Sequence, residues 1–145
     1  MSENKKETIL LIEDDDDHAE IIEFYIQENS SDYDIVRLAD GKLALDYIKE
    51  LQTDPWLILL DLKVPKFDGH EILKYIKSND TIKHLPVVVF TTSNSDKDIT
   101  SALELGANSY LVKPTDPDEF LQNIALLLAY WKINKRSHIT EETSR

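Results

Sequence analysis

The sequence predicts an α/β fold in which five parallel strands form one doubly wound sheet with helices on both faces. The first observation behind this prediction is alternation, because short apolar runs and amphipathic helical patterns follow one another five times along the chain. The second is the run Trp56-Leu-Ile-Leu-Leu60, which has no polar alternation and therefore suits a strand buried on both faces. Right-handed crossovers between such strands place the helices on the two sides of the sheet.

The elements can be assigned in order from these two kinds of pattern. Strands are predicted over residues 8–12, 34–39, 56–60, 86–91 and 109–112. Apolar residues at helical spacing predict the helices, which follow Asp17 and then cover 43–51, 69–76, 96–105 and 120–131. Asp16 and Asp17 suit the N-cap and first turn of the first helix, Asp68 can cap the third, and Gly106 ends the fourth.

Length and composition bound the organisation and the function of the chain. Its 145 residues fit one compact domain, predicted over 8–133, with a disordered N-terminus (1–7) and a polar C-terminal tail (134–145). The net charge of -12 argues against a sequence-independent grip on nucleic acid and against binding to anionic membranes. No cysteine is present, and the N-terminus has no apolar signal-peptide core, so the predicted location is the cytoplasm.

Polar side chains follow four of the predicted strands at the point where each strand ends. They are Glu13, Asp14 and Asp15 after the first strand, Asp61 after the third, Thr91 after the fourth and Lys113 after the fifth. In the flavodoxin-like strand order 2-1-3-4-5, strands one and three lie side by side at the switch point where ligands bind. The acids of these two strands are therefore expected to converge on one pocket.

The residue types in this pocket indicate phosphoryl-transfer chemistry. Clustered carboxylates raise one another's pKa unless a cation lies between them, and Mg²⁺ is the cation expected for carboxylate and phosphate oxygens. Lys113 adds a second positive charge and Thr91 adds a hydroxyl donor around the oxygens of Asp61. Asp61 could instead cap the next helix, but Asp68 lies nearer to the start of that helix.

Four motifs in this order resemble the receiver domain of two-component response regulators, the CheY-like family. They are Ile-Leu-Leu-Ile-Glu13-Asp14-Asp15, Leu-Leu-Asp61-Leu-Lys-Val-Pro65-Lys-Phe-Asp-Gly69, Val-Val-Phe-Thr91-Thr92-Ser93 and Tyr110-Leu-Val-Lys113-Pro114. The Thr-Thr-Ser sequence and the late Trp131 are similar to those of stand-alone regulators partnered with bacterial phytochromes.

The resemblance implies a role for each matching residue. Asp61 is the expected phosphoacceptor and a Mg²⁺ ligand, Asp14 a direct Mg²⁺ ligand, and Glu13 a ligand that acts directly or through water. Lys63 is expected to contribute its backbone carbonyl to the metal.

Three further residues carry the expected switch. Thr91 and Lys113 are expected to engage the phosphoryl group, and Tyr110 is expected to change its exposure together with Thr91. The resemblance also implies a cis peptide bond between Lys113 and Pro114.

Some positions extend the family pattern or depart from it. Asp15 lies outside the usual acidic pair and is a candidate for a supporting role around the metal. Lys63 and Thr92 occupy places where the family often has other residues, and we hypothesise that both alter the lifetime of the phosphoryl group. None of the four histidines is predicted to be a ligand or a phosphorelay residue, and these are His18, His70, His84 and His138.

The last predicted helix indicates a partner surface. Its apolar residues cover too much of the circumference for one buried stripe, and they include Leu126, Leu127, Leu128, Tyr130 and Trp131. The resemblance implies a homodimer through the face of the fourth and fifth helices. It also implies a sensor histidine kinase, possibly of the phytochrome type, and a downstream protein as partners.

The function predicted from the sequence is that of a single-domain response regulator phosphorylated on Asp61. Such a protein is a phosphoacceptor that promotes its own phosphorylation and dephosphorylation, and it has no other enzymatic activity. A phosphatase of the haloacid dehalogenase type is rejected because Lys63 stands where that family needs a second Asp. A flavodoxin-type module is rejected because acids replace the phosphate loop. A receiver-like interaction module that works without phosphorylation stays open.

Overall fold

The computed structural model describes residues 6–134. Most of the predicted terminal segments 1–7 and 134–145 therefore lies outside the described residues. Five strands and five helices alternate along it. The strands are β1 (Glu7–Ile12), β2 (Tyr33–Leu38), β3 (Leu57–Leu60), β4 (Val87–Thr91) and β5 (Ser109–Val112). The helices are α1 (Asp16–Asn29), α2 (Gly41–Lys49), α3 (Gly69–Lys77), α4 (Asp96–Glu104) and α5 (Pro117–Ile133).

The strands form one parallel sheet in the order β2-β1-β3-β4-β5, which confirms the predicted topology. β1 and β3 are neighbours, with Ile12 opposite Leu60, so the residues that follow these strands begin side by side. The predicted element ends differ from the observed ones by a few residues. β1, for example, starts at Glu7, because the Glu7 N–H donates to the Asp32 carbonyl oxygen.

The core explains why the strand sequences are apolar throughout. Every residue of β3 and β4 is buried, and so are the last four residues of β1. One cluster joins Leu10, Ile12 and Leu60 of the sheet with the buried side chains of α2, α3 and α4. Burying each large aliphatic side chain contributes about 1.5–3 kcal/mol to the stability of the fold. A shift in strand register would expose these side chains, so the register is fixed, and with it the positions of the polar residues at the strand ends.

Capping side chains start the helices, with one correction to the prediction. Asp15 rather than Asp16 is the N-cap of α1, and its Oδ1 accepts the N–H of His18 at 3.1 Å. Asp16 and Asp17 then lie in the first turn, where their charge interacts favourably with the helix dipole. Asp68 caps α3 in a capping box with Glu71, as its position before Gly69 predicts.

The loop between β3 and α3 is held against the start of α2. The Gly41 N–H donates to the Pro65 carbonyl oxygen at 2.9 Å, and Lys66 pairs with Asp40 at 3.4 Å. The Phe67 N–H also donates to Pro65, which closes a γ-turn in which Lys66 has a φ of 75°. Lys66 is the one non-glycine residue with positive φ in the described chain, so the loop carries local backbone strain.

Glycine in place of Lys66 is expected to raise the free energy of unfolding by about 0.5–1 kcal/mol. A left-handed conformation costs a residue with a Cβ about 1–2 kcal/mol, and the extra entropy of unfolded glycine offsets part of this gain. Urea unfolding would measure the change. The matched control Lys83→Gly, at an exposed lysine without positive φ, should lose about 0.5–1 kcal/mol. An equal loss for both variants would contradict strain at Lys66.

The described chain divides into two compact units between Pro114 and Thr115. The second unit consists mainly of α5, which starts at the N-cap Asp116 with Pro117 in its first turn. Leu126, Tyr130 and Ile133 of α5 are exposed, whereas its other large apolar residues are buried, as in Phe120, Ile124, Leu127, Leu128 and Trp131. The excess of apolar residues that the sequence indicates is therefore present on the surface of this helix.

None of the helices within residues 6–134 combines the length and the apolar character that crossing a bilayer requires.

Candidate functional site

Asp61 follows directly on β3, and its carboxylate accepts hydrogen bonds from the ends of β4 and β5 and from its own loop. The Thr91 hydroxyl donates to its Oδ1 at 2.8 Å, and the Lys63 N–H donates to the same oxygen at 3.0 Å. The Lys113 Nζ donates to its Oδ2 at 2.9 Å. The Asp61 side chain is buried, with 8% of its surface exposed. The structure therefore brings the predicted strand-end residues Asp61, Thr91 and Lys113 together.

Glu13, at the end of β1, forms the second half of this cluster. Its Oε1 accepts from the Lys113 Nζ at 2.6 Å, and its Oε2 accepts the N–H of Asp15 at 3.1 Å. Only 2% of the Glu13 side chain and 1% of the Lys113 side chain are exposed. One buried ammonium thus bridges two buried carboxylates, which reduces the cost of removing three charges from water.

Asp14 completes a group of three acids. One carboxylate oxygen each from Glu13, Asp14 and Asp61 lies within 4.8 Å of the others, and Asp14 is the exposed member. Oxygen donors of this kind and spacing fit a hard divalent cation, and the exposed carboxylate leaves room for water in its coordination shell. The donor set therefore supports divalent metal binding at this edge of the sheet.

The two buried carboxylates differ in their affinity for a proton. Burial raises the pKa of Glu13, and the negative charge of Asp61 raises it further, to about 7, although Lys113 opposes the rise. Burial also acts to raise the pKa of Asp61, but the Lys113 charge, the Lys63 N–H and the Thr91 hydroxyl together hold it below its ordinary value. Asp61 is therefore the carboxylate that stays ionised without a metal, as a nucleophile must.

A hydrogen-bond network extends from this cluster into the loop after β4. The Tyr110 hydroxyl donates to the Ser93 carbonyl oxygen at 3.0 Å, and the Ser93 hydroxyl donates to Asp98 Oδ2 at 2.5 Å. Tyr110 is partly buried, and burial raises the pKa of its hydroxyl. Ser93 lies two residues after Thr91, so this loop connects the Asp61 environment to β5 and to α4.

The remaining predicted site residues lie at the edge of the cluster. Asp15 contacts Glu13 through its backbone, while its exposed side chain caps α1. The Lys63 N–H donates to the Asp61 carboxylate. Lys63 and Thr92 are both exposed residues.

The structure also brings two residues into the site that sequence reasoning missed. Arg37, at the end of β2, donates from Nε to the Glu13 carbonyl oxygen at 3.0 Å and pairs with Asp16 at 2.9 Å. His18 Nδ1 lies 2.9 Å from the Lys113 Nζ. A signal for Arg37 was available, because strand order 2-1-3 places the end of β2 beside the acids.

The prediction of a cis bond between Lys113 and Pro114 is wrong. The described residues contain no cis peptide bond. The trans isomer is favoured by about 0.5–1 kcal/mol before proline. In this trans arrangement the Lys113 N–H donates to the Thr91 carbonyl oxygen at 2.7 Å, and its ammonium still reaches both carboxylates.

Comparison with known proteins agrees with this geometry. A family model described as the response regulator receiver domain matches residues 9–125. Response regulator Rcp1 from Synechocystis sp. is 33% identical over 133 residues, which cover 88% of this chain and 90% of Rcp1. FilR2 of Methanothrix harundinacea, described as a probable methanogenesis regulatory protein, is 39% identical over 127 residues, covering 85% of this chain and 82% of FilR2.

Solved structures show the same similarity. The Mn²⁺-bound form of Rcp1 superposes with a TM-score of 0.84 at 31% identity and covers 90% of this chain and 99% of that one. The phosphorylated cyanobacterial phytochrome response regulator RcpA also has a TM-score of 0.84, at 32% identity, covering 88% of this chain and 95% of that one. The chain belongs to the response regulator receiver domain family, a class of two-component signalling proteins.

Proposed function

We propose that the protein is a single-domain response regulator that accepts a phosphoryl group on Asp61 from a sensor histidine kinase and acts in the cytoplasm. The observation that carries this proposal is the set of contacts to Asp61, which is buried and ionised between an ammonium and a hydroxyl. In the transfer, an Asp61 oxygen forms a bond to phosphorus while the bond from phosphorus to the donor nitrogen breaks. The bonding electron pair stays with the donor imidazole.

Mg²⁺ is the metal proposed for the site, with Asp14 and Asp61 as direct ligands, Glu13 as a direct or water-mediated ligand, and the Lys63 carbonyl as a further ligand. When bound, it would neutralise charge on the phosphoryl oxygens during transfer. The support for this is the group of three carboxylates and their spacing. The Mn²⁺-bound form of the relative Rcp1 also supports a divalent cation.

The proposed switch uses the residues that already touch Asp61. A phosphoryl group on Asp61 adds acceptor oxygens, toward which the Thr91 hydroxyl and the Lys113 ammonium can turn from the carboxylate. Tyr110 is connected to Thr91 by the short loop that contains Ser93, so it would respond to movement of Thr91. The product is a second conformation whose population rises on phosphorylation.

The proposed output is a changed protein contact. The exposed apolar residues Leu126, Tyr130 and Ile133 on α5 are suited to such a contact, because water is displaced from them when a partner binds. A homodimer through the fourth and fifth helices stays a prediction, as does a downstream protein partner. The phytochrome link of the relative RcpA supports a phytochrome-type kinase as the phosphoryl donor.

Incubation with Mg²⁺ and acetyl phosphate is expected to add one phosphoryl group to the wild-type protein and none to Asp61→Asn. The amide lacks the negative charge of the nucleophile, so the bond to phosphorus does not form. Intact-mass spectrometry would measure the adduct. The matched control is Asp46→Asn, at an exposed aspartate on α2, which should keep the adduct.

Absence of an adduct on folded wild-type protein would contradict phosphorylation. That result would favour the receiver-like interaction module that works by binding alone.

A further inference from the structure

The Lys113 ammonium has a third contact besides those to the two carboxylates. Its Nζ lies 2.6 Å from Glu13 Oε1, 2.9 Å from Asp61 Oδ2 and 2.9 Å from His18 Nδ1. An ammonium group carries three N–H donors and no acceptor. The two carboxylates and the imidazole therefore supply one acceptor for each N–H of this buried group.

The same geometry defines the role of the imidazole. Because the Lys113 ammonium can only donate, His18 Nδ1 is the acceptor in this contact and presents its lone pair to Nζ. The backbone of His18 is held at the start of α1, where its N–H donates to the N-cap Asp15. The histidine therefore belongs to the fixed first turn of a helix while its ring reaches a lysine 95 residues away.

We propose that His18 is a positioning residue for phosphoryl transfer, which holds the Lys113 ammonium at Asp61. This proposal rests on the proposed function of Asp61 as the phosphoacceptor. Glu13 and Asp61 both attract the ammonium, and the Glu13 contact is the shorter one. The imidazole nitrogen on a third side supplies an acceptor that fixes the direction of the third N–H group of the ammonium. The ammonium can then exchange its Asp61 contact for a phosphoryl oxygen while His18 still holds it.

An ordinary helix-surface histidine would make a different contact. A side chain in the first turn of a helix can remain in water, whereas the His18 side chain is only 27% exposed and meets a lysine side chain that is 1% exposed. Loss of this acceptor would leave a buried N–H without a partner, or let the ammonium move toward the carboxylates. Small displacements of a group that positions a reacting atom reduce rates strongly.

The first test uses metal-free protein and observes the ammonium itself. Wild-type protein labelled with ¹⁵N-lysine is expected to show a Lys113 N–H resonance that is protected from exchange with water. The resonance should be lost in His18→Ala and in His18→Leu, which fills the same space without an acceptor. It should return in His18→Asn, whose Oδ1 can occupy the place of Nδ1. The control His84→Ala removes a histidine paired with exposed Asp54 and should leave the resonance unchanged.

The second test measures the rate of phosphorylation by acetyl phosphate with Mg²⁺ present. We expect His18→Ala and His18→Leu to react about 10-fold more slowly than wild type, and His18→Asn to recover most of the rate.

The two tests separate failure of this proposal from failure of the proposed function. If wild-type protein gains no phosphoryl group, the proposed function fails, and the ammonium resonance still decides whether His18 holds Lys113. If wild type is phosphorylated while His18→Ala or His18→Leu keeps both the protected resonance and the wild-type rate, the positioning role is overturned. The positioning role is also overturned if His18→Asn is phosphorylated as slowly as His18→Ala and the protected Lys113 resonance is retained in all variants.

Discussion

Replacing Lys113 with methionine is expected to lower the free energy of unfolding of the metal-free protein by about 3–5 kcal/mol at pH 8. The ammonium bridges Glu13 and Asp61, and both carboxylates are buried. Methionine keeps the length of the side chain but leaves two negative charges in a poorly solvated site without a counterion. Urea unfolding at constant ionic strength would measure the loss.

The loss is expected to become smaller as the pH falls to about 5.5, because the unpaired carboxylates can then take up protons. The sign of this pH dependence follows from the difference between the pKa of Glu13 in the folded and in the unfolded protein. Folding raises the pKa of Glu13 from its ordinary value of 4.5 to about 7, so the stability it contributes is fully present below pH 4.5 and is lost as the pH rises through 7. Without Lys113, which lowers the pKa of both carboxylates, this pH dependence should become steeper. Added Mg²⁺, the cation proposed for the site, should recover part of the stability at pH 8, because a ligand that binds only the folded state stabilises it.

The matched control is Lys42→Met, which removes an exposed lysine that pairs with Asp46 on the same helix. Exposed pairs of this kind contribute less than about 0.5 kcal/mol, so the control should be close to wild type. An equally small effect of Lys113→Met at pH 8 would show that the buried charges do not depend on the ammonium.

Alanine in place of Gly41 is expected to destabilise the protein by at least about 3 kcal/mol. A Cβ at this position would lie 1.6 Å from the Phe67 carbonyl oxygen, and the obstacle is backbone rather than a movable side chain. Alanine normally stabilises a helix relative to glycine by about 1 kcal/mol, so a large loss has the opposite sign to helix propensity. The measurement is again urea unfolding, with thermal unfolding as a check.

A second readout connects the Gly41 change to the site. Gly41 holds the Pro65 carbonyl, in the loop that begins with the Lys63 N–H donor to Asp61. The backbone resonance of Lys63 should therefore shift in Gly41→Ala if the variant remains folded. Leu43→Ala, at an exposed position of the same helix, is the control and should change neither quantity by much. Wild-type stability of Gly41→Ala would contradict the close packing of this loop on α2.

The fold could be predicted because its determinants are local in sequence. The apolar runs that end at Ile12 and Leu60 leave no face for solvent, so they must be central strands, and their neighbours follow from the crossover rules. The residues after these strands then share one edge of the sheet. Asp61, Thr91 and Lys113 could be predicted for the same reason, since Thr91 ends its strand and the other two directly follow theirs.

The residues that escaped prediction depend on details that the pattern does not contain. Successive side chains of an α-helix point about 100° apart, so the direction of any one of them depends on how the helix is rotated about its axis. The contact between His18 and Lys113 depends on this rotation and on the position of α1 against the sheet, which the sequence pattern does not specify. Arg37 was not predicted because the β2 sequence is only weakly apolar. The pattern of β2 therefore does not indicate which of its side chains reach the acids.

Ser93 has a consequence for the kind of signal that the domain can give. Its carbonyl group binds the Tyr110 hydroxyl and its own hydroxyl binds Asp98, so one residue restrains both β5 and α4. A displacement of this residue would disturb both contacts, so the movements of β5 and α4 are expected to be coupled. The output is therefore expected to be all-or-none in each molecule. Graded responses of a cell would then arise from the fraction of molecules switched rather than from intermediate conformations.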